Sequence, residues 1–223
     1  MLLSSPWLRV NVAAAALLTG CASVDDQRTS LAAAAACCSG VPDASIEPMR
    51  SAVAPVAIDE RAPVGAFSTG NSRYRVLDLA GLPARPALLS VRSVGTFTNV
   101  YASGRSWAPV LYPAVTFLNS QKSALVTVTE DKPMNPSLSC KALFHCGFAM
   151  VTVEVPPEAR FVVLHTPYDK VGQTREEALP GKAADQTYRI GGTFVTIPGG
   201  AAPALRTIGM SVGQLEVRAL SAQ

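Results

Sequence analysis

Tyr74-Arg75-Val76-Leu77-Asp78-Leu79 alternates between apolar and charged side chains, the period-two pattern of a strand with one face turned to a core. Short runs of the same kind follow it. Leu88 to Val94, Phe97 to Tyr101, Val110 to Leu118, Ala124 to Thr129, Phe148 to Val155, Phe161 to His165, Tyr188 to Ile197 and Leu215 to Leu220 each read as a strand. Val126, Val128, Met150 to Val155 and Val162 to Leu164 are rich in β-branched side chains, which fit a pleated surface. Prolines and glycines fall in the gaps: Pro83, Pro86, Pro133, Pro136, Pro156, Pro157, and Gly199 with Gly200. Pro198 has no amide hydrogen to offer a ladder, so the strand before it should stop at Ile197. The pattern predicts an all-β fold, an antiparallel β-sandwich of two sheets.

One stretch breaks the series. Between Val171 and Asp185, Thr174-Arg175-Glu176-Glu177-Ala178 predicts a short helical insert that Pro180 and Gly181 end. Upstream, Ser45 to Pro63 reads as an irregular lead-in with one edge strand at most, so the organised part of a 45–223 domain is expected from about residue 65. Ala22 to Ala36 is polar and then alanine-rich, with no apolar stripe, and residues 21–44 are expected to form a flexible tether.

The N-terminus explains what that tether would hold. Arg9 is the one cation before an apolar run from Val10 to Leu18, and Leu18-Thr19-Gly20-Cys21 closes it with small residues and a cysteine. A charged start, an apolar middle and a small-residue exit are the parts of an export signal, and the final four residues resemble the lipobox of bacterial lipoproteins. Residues 1–20 are therefore expected to be removed and Cys21 to be lipidated. The apolar run falls short of the roughly 20 residues needed to span a bilayer, which disfavours a single transmembrane anchor. Several acyl chains hold a protein on a membrane stably where one does not. Ala22 after the cysteine, by resemblance to enterobacterial sorting, points to the outer membrane and a periplasmic location. The plain alternative is an exported soluble protein whose signal ends near a cysteine.

Cleavage would leave 203 residues with 18 Lys plus Arg against 16 Asp plus Glu, a net charge of +2. No basic block is present to bind a phosphate backbone, so nucleic acid is not an expected partner. Cys37, Cys38, Cys140 and Cys146 remain besides Cys21. In an oxidising compartment an even number reads as disulfides, with three possible connectivities. The five residues between Cys140 and Cys146 are enough to turn back, so a bridge clamping a hairpin loop is expected there. Cys37 and Cys38 are adjacent and would pair only through a strained ring. A metal site built from the four cysteines and His145 lacks the C-x2-C spacing of recognisable zinc sites, and neither metal nor cofactor is expected.

Catalytic constellations are missing. Gly209-Met210-Ser211-Val212-Gly213 matches G-x-S-x-G, but that nucleophile turn needs a following helix and a later histidine, and only ten residues follow Gly213. Ser211 reads as a turn residue between strands. His165, one of two histidines, reads as a strand-end side chain capped by the backbone. Glu176 with Glu177 and Glu130 with Asp131 lack the flanking geometry of glycosidase carboxylates. The chain is expected not to be an enzyme. Tyr101, Trp107 and Tyr112 lie close together among Asn99, Ser103, Arg105 and Ser106; aromatic faces beside hydrogen-bonding groups suit a sugar ring, although such rings also fill sandwich cores.

The layout of the whole mature chain resembles the maltose operon periplasmic protein (MalM-like) family. The likeness rests on Cys37-Cys38-Ser39 before a proline-containing lead-in, on Phe67-Ser68-Thr69-Gly70-Asn71-Ser72-Arg73-Tyr74-Arg75-Val76, and on Leu111-Tyr112-Pro113-Ala114-Val115-Thr116-Phe117-Leu118-Asn119. It continues in Val163-Leu164-His165-Thr166 and Gly213-Gln214-Leu215-Glu216-Val217. The lipobox and the Cys140 to Cys146 loop set this chain apart from that pattern. The resemblance implies a periplasmic accessory of carbohydrate transport without catalytic residues, whose partners are membrane lipid through acylated Cys21, an oligosaccharide and envelope transport proteins. The rival expectation is a structural or protein-interaction lipoprotein of the envelope, docking through sheet edges and the Val171 to Asp185 loop.

Overall fold

The alternating run at Tyr74 is the centre of a nine-residue strand in a computed structural model that describes residues 24–36, 46–95, 106–129, 146–178, 186–190, 193–197 and 204–221. In chain order the elements are helix α1 (Val24–Ala33) and strands β1 (Ile46–Pro48), β2 (Val53–Ile58), β3 (Val64–Phe67), β4 (Gly70–Asp78), β5 (Leu88–Gly95), β6 (Ser106–Val110) and β7 (Ala114–Leu118). They continue as β8 (Ala124–Thr129), β9 (Cys146–Glu154), β10 (Phe161–His165), β11 (Thr174–Ala178), β12 (Gln186–Ile190), β13 (Thr193–Ile197), β14 (Ala204–Gly209) and β15 (Gly213–Leu220).

Two sheets make the sandwich. One runs β1-β4-β10-β7-β8, with β3 also paired to β4, and the other runs β2-β15-β5-β9. Alternation sends Leu77, Val115, Phe117, Val162 and Leu164 of the first sheet against Val56, Leu89, Val91, Leu215 and Val217 of the second. Burying each such side chain contributes about 1.5–3 kcal/mol before the cost of ordering it. The outward face of the second sheet mixes charged side chains with the exposed Val53, Met150 and Leu220. There Glu216 lies opposite Arg92 and pairs with it at 2.9 Å.

A smaller sheet, β11-β14-β6, and the β12–β13 hairpin complete the described strands. Pairing is antiparallel except where β1 meets β4 and β6 meets β14. Among the described residues no helix is long and apolar enough to cross a membrane.

Four expectations change. Thr174–Ala178 is the strand β11, paired residue for residue with β14, and not a helical insert; pairing to a neighbour overrode a weak helical preference. Tyr188 to Ile197 is two strands, β12 and β13, separated in sequence by Gly191 and Gly192, and the second does end at Ile197 before Pro198. The lead-in is ordered from Ile46 onward and supplies the core residues Met49, Val56 and Ile58. Pro55 is tolerated there because β2 lies at the edge of its sheet.

The fourth concerns the tether, which includes a docked helix. Leu31 of α1 is 1% exposed, packed with Val64 and Val171. Asn71 Nδ2 donates to the carbonyls of Leu31 and Ala34 at 3.2 and 3.0 Å, satisfying acceptors that a helix C-terminus leaves open. Gln27 Oε1 accepts from both the amide and the hydroxyl of Ser211, at 3.0 and 2.9 Å. One apolar anchor and one amide do this work, so no stripe marks the helix in the sequence.

Candidate functional site

The outer face of the six-stranded sheet is built by the residues that alternation turns away from the core. Strand register sets them in rows across β4, β10, β7 and β8. Tyr74, His165, Ala114 and Thr129 form one row, and Val76, Val163, Thr116 and Thr127 form the next. Leu118 lies opposite Ala124 in a third. These rows floor a groove of about 490 Å³, walled on one side by the β3–β4 hairpin and on the other by the β7–β8 turn.

Each wall has a local cause. Gly70, with φ 114°, makes the hairpin turn that an L-residue would resist, and its α-carbon lies against Tyr168. The hairpin brings Phe67 over the sheet, stacked on His165 with ring centroids 3.8 Å apart and edge-on to Tyr74 at 6.0 Å. On the opposite wall, Asn119 Oδ1 accepts from the amides of Gln121 and Ser123, which closes the turn around Lys122 in a left-handed conformation (φ 62°). Along the floor the hydroxyls of Thr116 and Thr127 are 2.9 Å apart. The groove therefore combines aromatic and aliphatic surface with a line of hydroxyls and one lysine.

His165 is the anomaly of this face. It is 3% exposed, and neither ring nitrogen has a hydrogen-bond partner among the described residues. The expected backbone cap is not formed as a hydrogen bond to either nitrogen, and the nearby Thr166 carbonyl accepts from the buried hydroxyl of Ser72. Burial pushes the imidazole down to about 4, and the Thr166 backbone offsets only part of that. The ring is neutral at pH 7 and carries one donor and one acceptor.

The residues singled out in the sequence are scattered. Tyr112 is a correction: it is 1% exposed, its hydroxyl 2.8 Å from that of Thr207 and its ring beneath the Arg175 guanidinium at 4.4 Å. A side chain so enclosed has no face for a sugar. Trp107 belongs to β6, but its side chain lies outside the described residues, as do Tyr101 and Cys21. Cys140, Cys37, Cys38 and His145 also fall outside them, and only the backbone of Cys146, at the start of β9, is described.

The G-x-S-x-G stretch has a packing explanation. A β-carbon on Gly209 would run into the Lys170 carbonyl, and Ser211 faces α1 through Gln27. Ser211 and His165 are not hydrogen-bonded to each other. Among the described residues no group of three or more His, Cys, Asp or Glu side chains could hold a metal.

Sequence reading missed Phe67 and Tyr74 as groove residues. Their signal was the hydroxyl-rich outer periodicity of Thr116, Thr127 and Thr129, on strands whose opposite face is core. No protein-family model, curated protein or solved structure matches the chain.

Proposed function

We propose that the protein is a lipid-anchored periplasmic accessory of carbohydrate transport that binds an oligosaccharide and catalyses no reaction on it. One observation carries the binding part: the outer groove sets the half-buried ring of Phe67 beside the hydroxyls of Thr116, Thr127 and Thr129. Apolar faces for a pyranose ring and short polar side chains for its hydroxyls are the usual composition of a small-molecule cleft.

The localisation rests on Leu18-Thr19-Gly20-Cys21 and the apolar run before it, and the transport role rests on the MalM-like layout. Acylated Cys21 is the membrane anchor in this reading. Helix α1 begins three residues later, which holds the domain close to the lipid surface. The Cys140 to Cys146 bridge belongs to the same proposal.

Calorimetric titration of the full chain in detergent with maltose, longer maltodextrins and unrelated glycans tests the function. The expected result is saturable heat with one glycan class, lost in Phe67→Ala at unchanged fold. Absence of heat with every glycan would reject it. A second reading, a protein-docking lipoprotein, is favoured by β8, the outermost described strand of its sheet, where Leu125 and Val126 are each 38% exposed. An uncovered apolar edge is suited to receiving another strand.

A further inference from the structure

The imidazole at the groove floor is costly as it stands. Leaving a buried polar group without a partner costs about 1–3 kcal/mol, and buried polar groups in folded proteins are nearly always paired. His165 carries two such atoms, and the hydroxyl of the adjacent Thr166 is likewise buried without a partner. The Thr166 carbonyl accepts from Ser72. The hydroxyls of Thr116 and Thr127 hydrogen-bond each other, and one of the two keeps its own O–H outside that bond. Across the strands, His165 faces Ala114 on β7, whose methyl offers no polar atom. Phe67 stacks on the ring at an interplanar angle of 15°, and both side chains line the groove.

We propose that His165 is the hydroxyl-reading residue of the groove, pairing with a hydroxyl of a neutral polyhydroxylated ligand that lies along the threonine row and displaces the Phe67 ring from the imidazole. This rests on the carbohydrate reading above and narrows it to the ligand's charge and its point of recognition. A neutral imidazole donates through one nitrogen and accepts through the other, and a hydroxyl satisfies either. A carboxylate or phosphate only accepts, and could meet the donor nitrogen alone. Phe67 is suited to move: it ends β3 at a hairpin tip and is only half-buried. Once turned aside it remains beside the groove as a face for a sugar ring.

The test compares the full chain with His165→Phe, which fills the same space without nitrogens. With a maltodextrin as probe, the variant should bind at least tenfold more weakly while its thermal midpoint stays level or rises, because an apolar ring replaces two unpaired polar atoms. Equal binding by wild type and variant would overturn the role of His165 and leave the sugar site standing. No binding of any glycan by wild type would remove both. Tighter binding of inorganic phosphate than of any glycan would overturn the neutral-ligand assignment.

A second readout does not depend on the variant folding. The imidazole nitrogen resonances of wild-type His165, separated from those of His145 by His145→Asn, should shift on maltodextrin addition. Resonances that stay in place at saturating ligand would contradict the proposal.

Discussion

At the scale of single residues, His165 makes the stability of the protein sensitive to acid. Its folded-state value is about 4 against an ordinary 6.5, so between those values the unfolded chain binds more protons and stability falls as pH falls. A shift of that size corresponds to a loss on the order of 3 kcal/mol by pH 4 relative to pH 7. Chemical denaturation at both pH values should show His165→Phe losing less stability than wild type by about that amount; parallel losses would mean the imidazole is solvated. Glu216 acts in a lower window. Burial opposes its ionisation, but hydrogen bonds and charge from Arg92 and Arg218 outweigh that and lower its value, so its contribution is present above the ordinary carboxylate range and disappears as pH drops through it. Gly209 is the other residue with a sharp expectation. Gly209→Ala should destabilise by about 3 kcal/mol, the upper end for overpacking, since the obstacle is the Lys170 backbone. A thermal midpoint within a degree of wild type would refute that contact.

At the scale of elements, α1 behaves as part of the domain. Leu31→Ala should cost about 2 kcal/mol, the low end for a buried leucine because its cluster is small. It should also expose the helix amides to hydrogen exchange ahead of global unfolding. Unchanged exchange across residues 24–33 would restore the tether picture. Strand legibility followed the same logic of signal strength. Ala124–Thr129 and Phe161–His165 match their expected bounds, because β-branched runs between turn residues leave little else for the chain to do. Thr174–Ala178 misled, since Arg, Glu and Ala prefer helix locally and only the register with β14 makes them a strand. The lead-in hid β2 because Pro55 argues against a strand until its edge position is known.

At the scale of the whole molecule, the sandwich was readable and the site was not. Alternation tells which residues share a face, but only the register of β4, β10, β7 and β8 brings Tyr74, His165, Thr116 and Thr127 to one groove. Aromatic proximity in sequence pointed instead to Tyr112, which serves the interior. Anchoring is tested separately: Cys21→Ser should abolish incorporation of labelled palmitate and release the protein from the membrane fraction, and retained labelling would reject the lipobox. The central claim is that a glycan occupies the outer groove. Methyl-resolved NMR of the full chain titrated with a maltodextrin tests it most directly. The methyls of Val163, Leu118 and Thr127 should shift in a saturable manner while those of Leu89 and Val91, between the sheets, stay in place. Shifts confined to other surfaces, or none at saturating glycan, would contradict it.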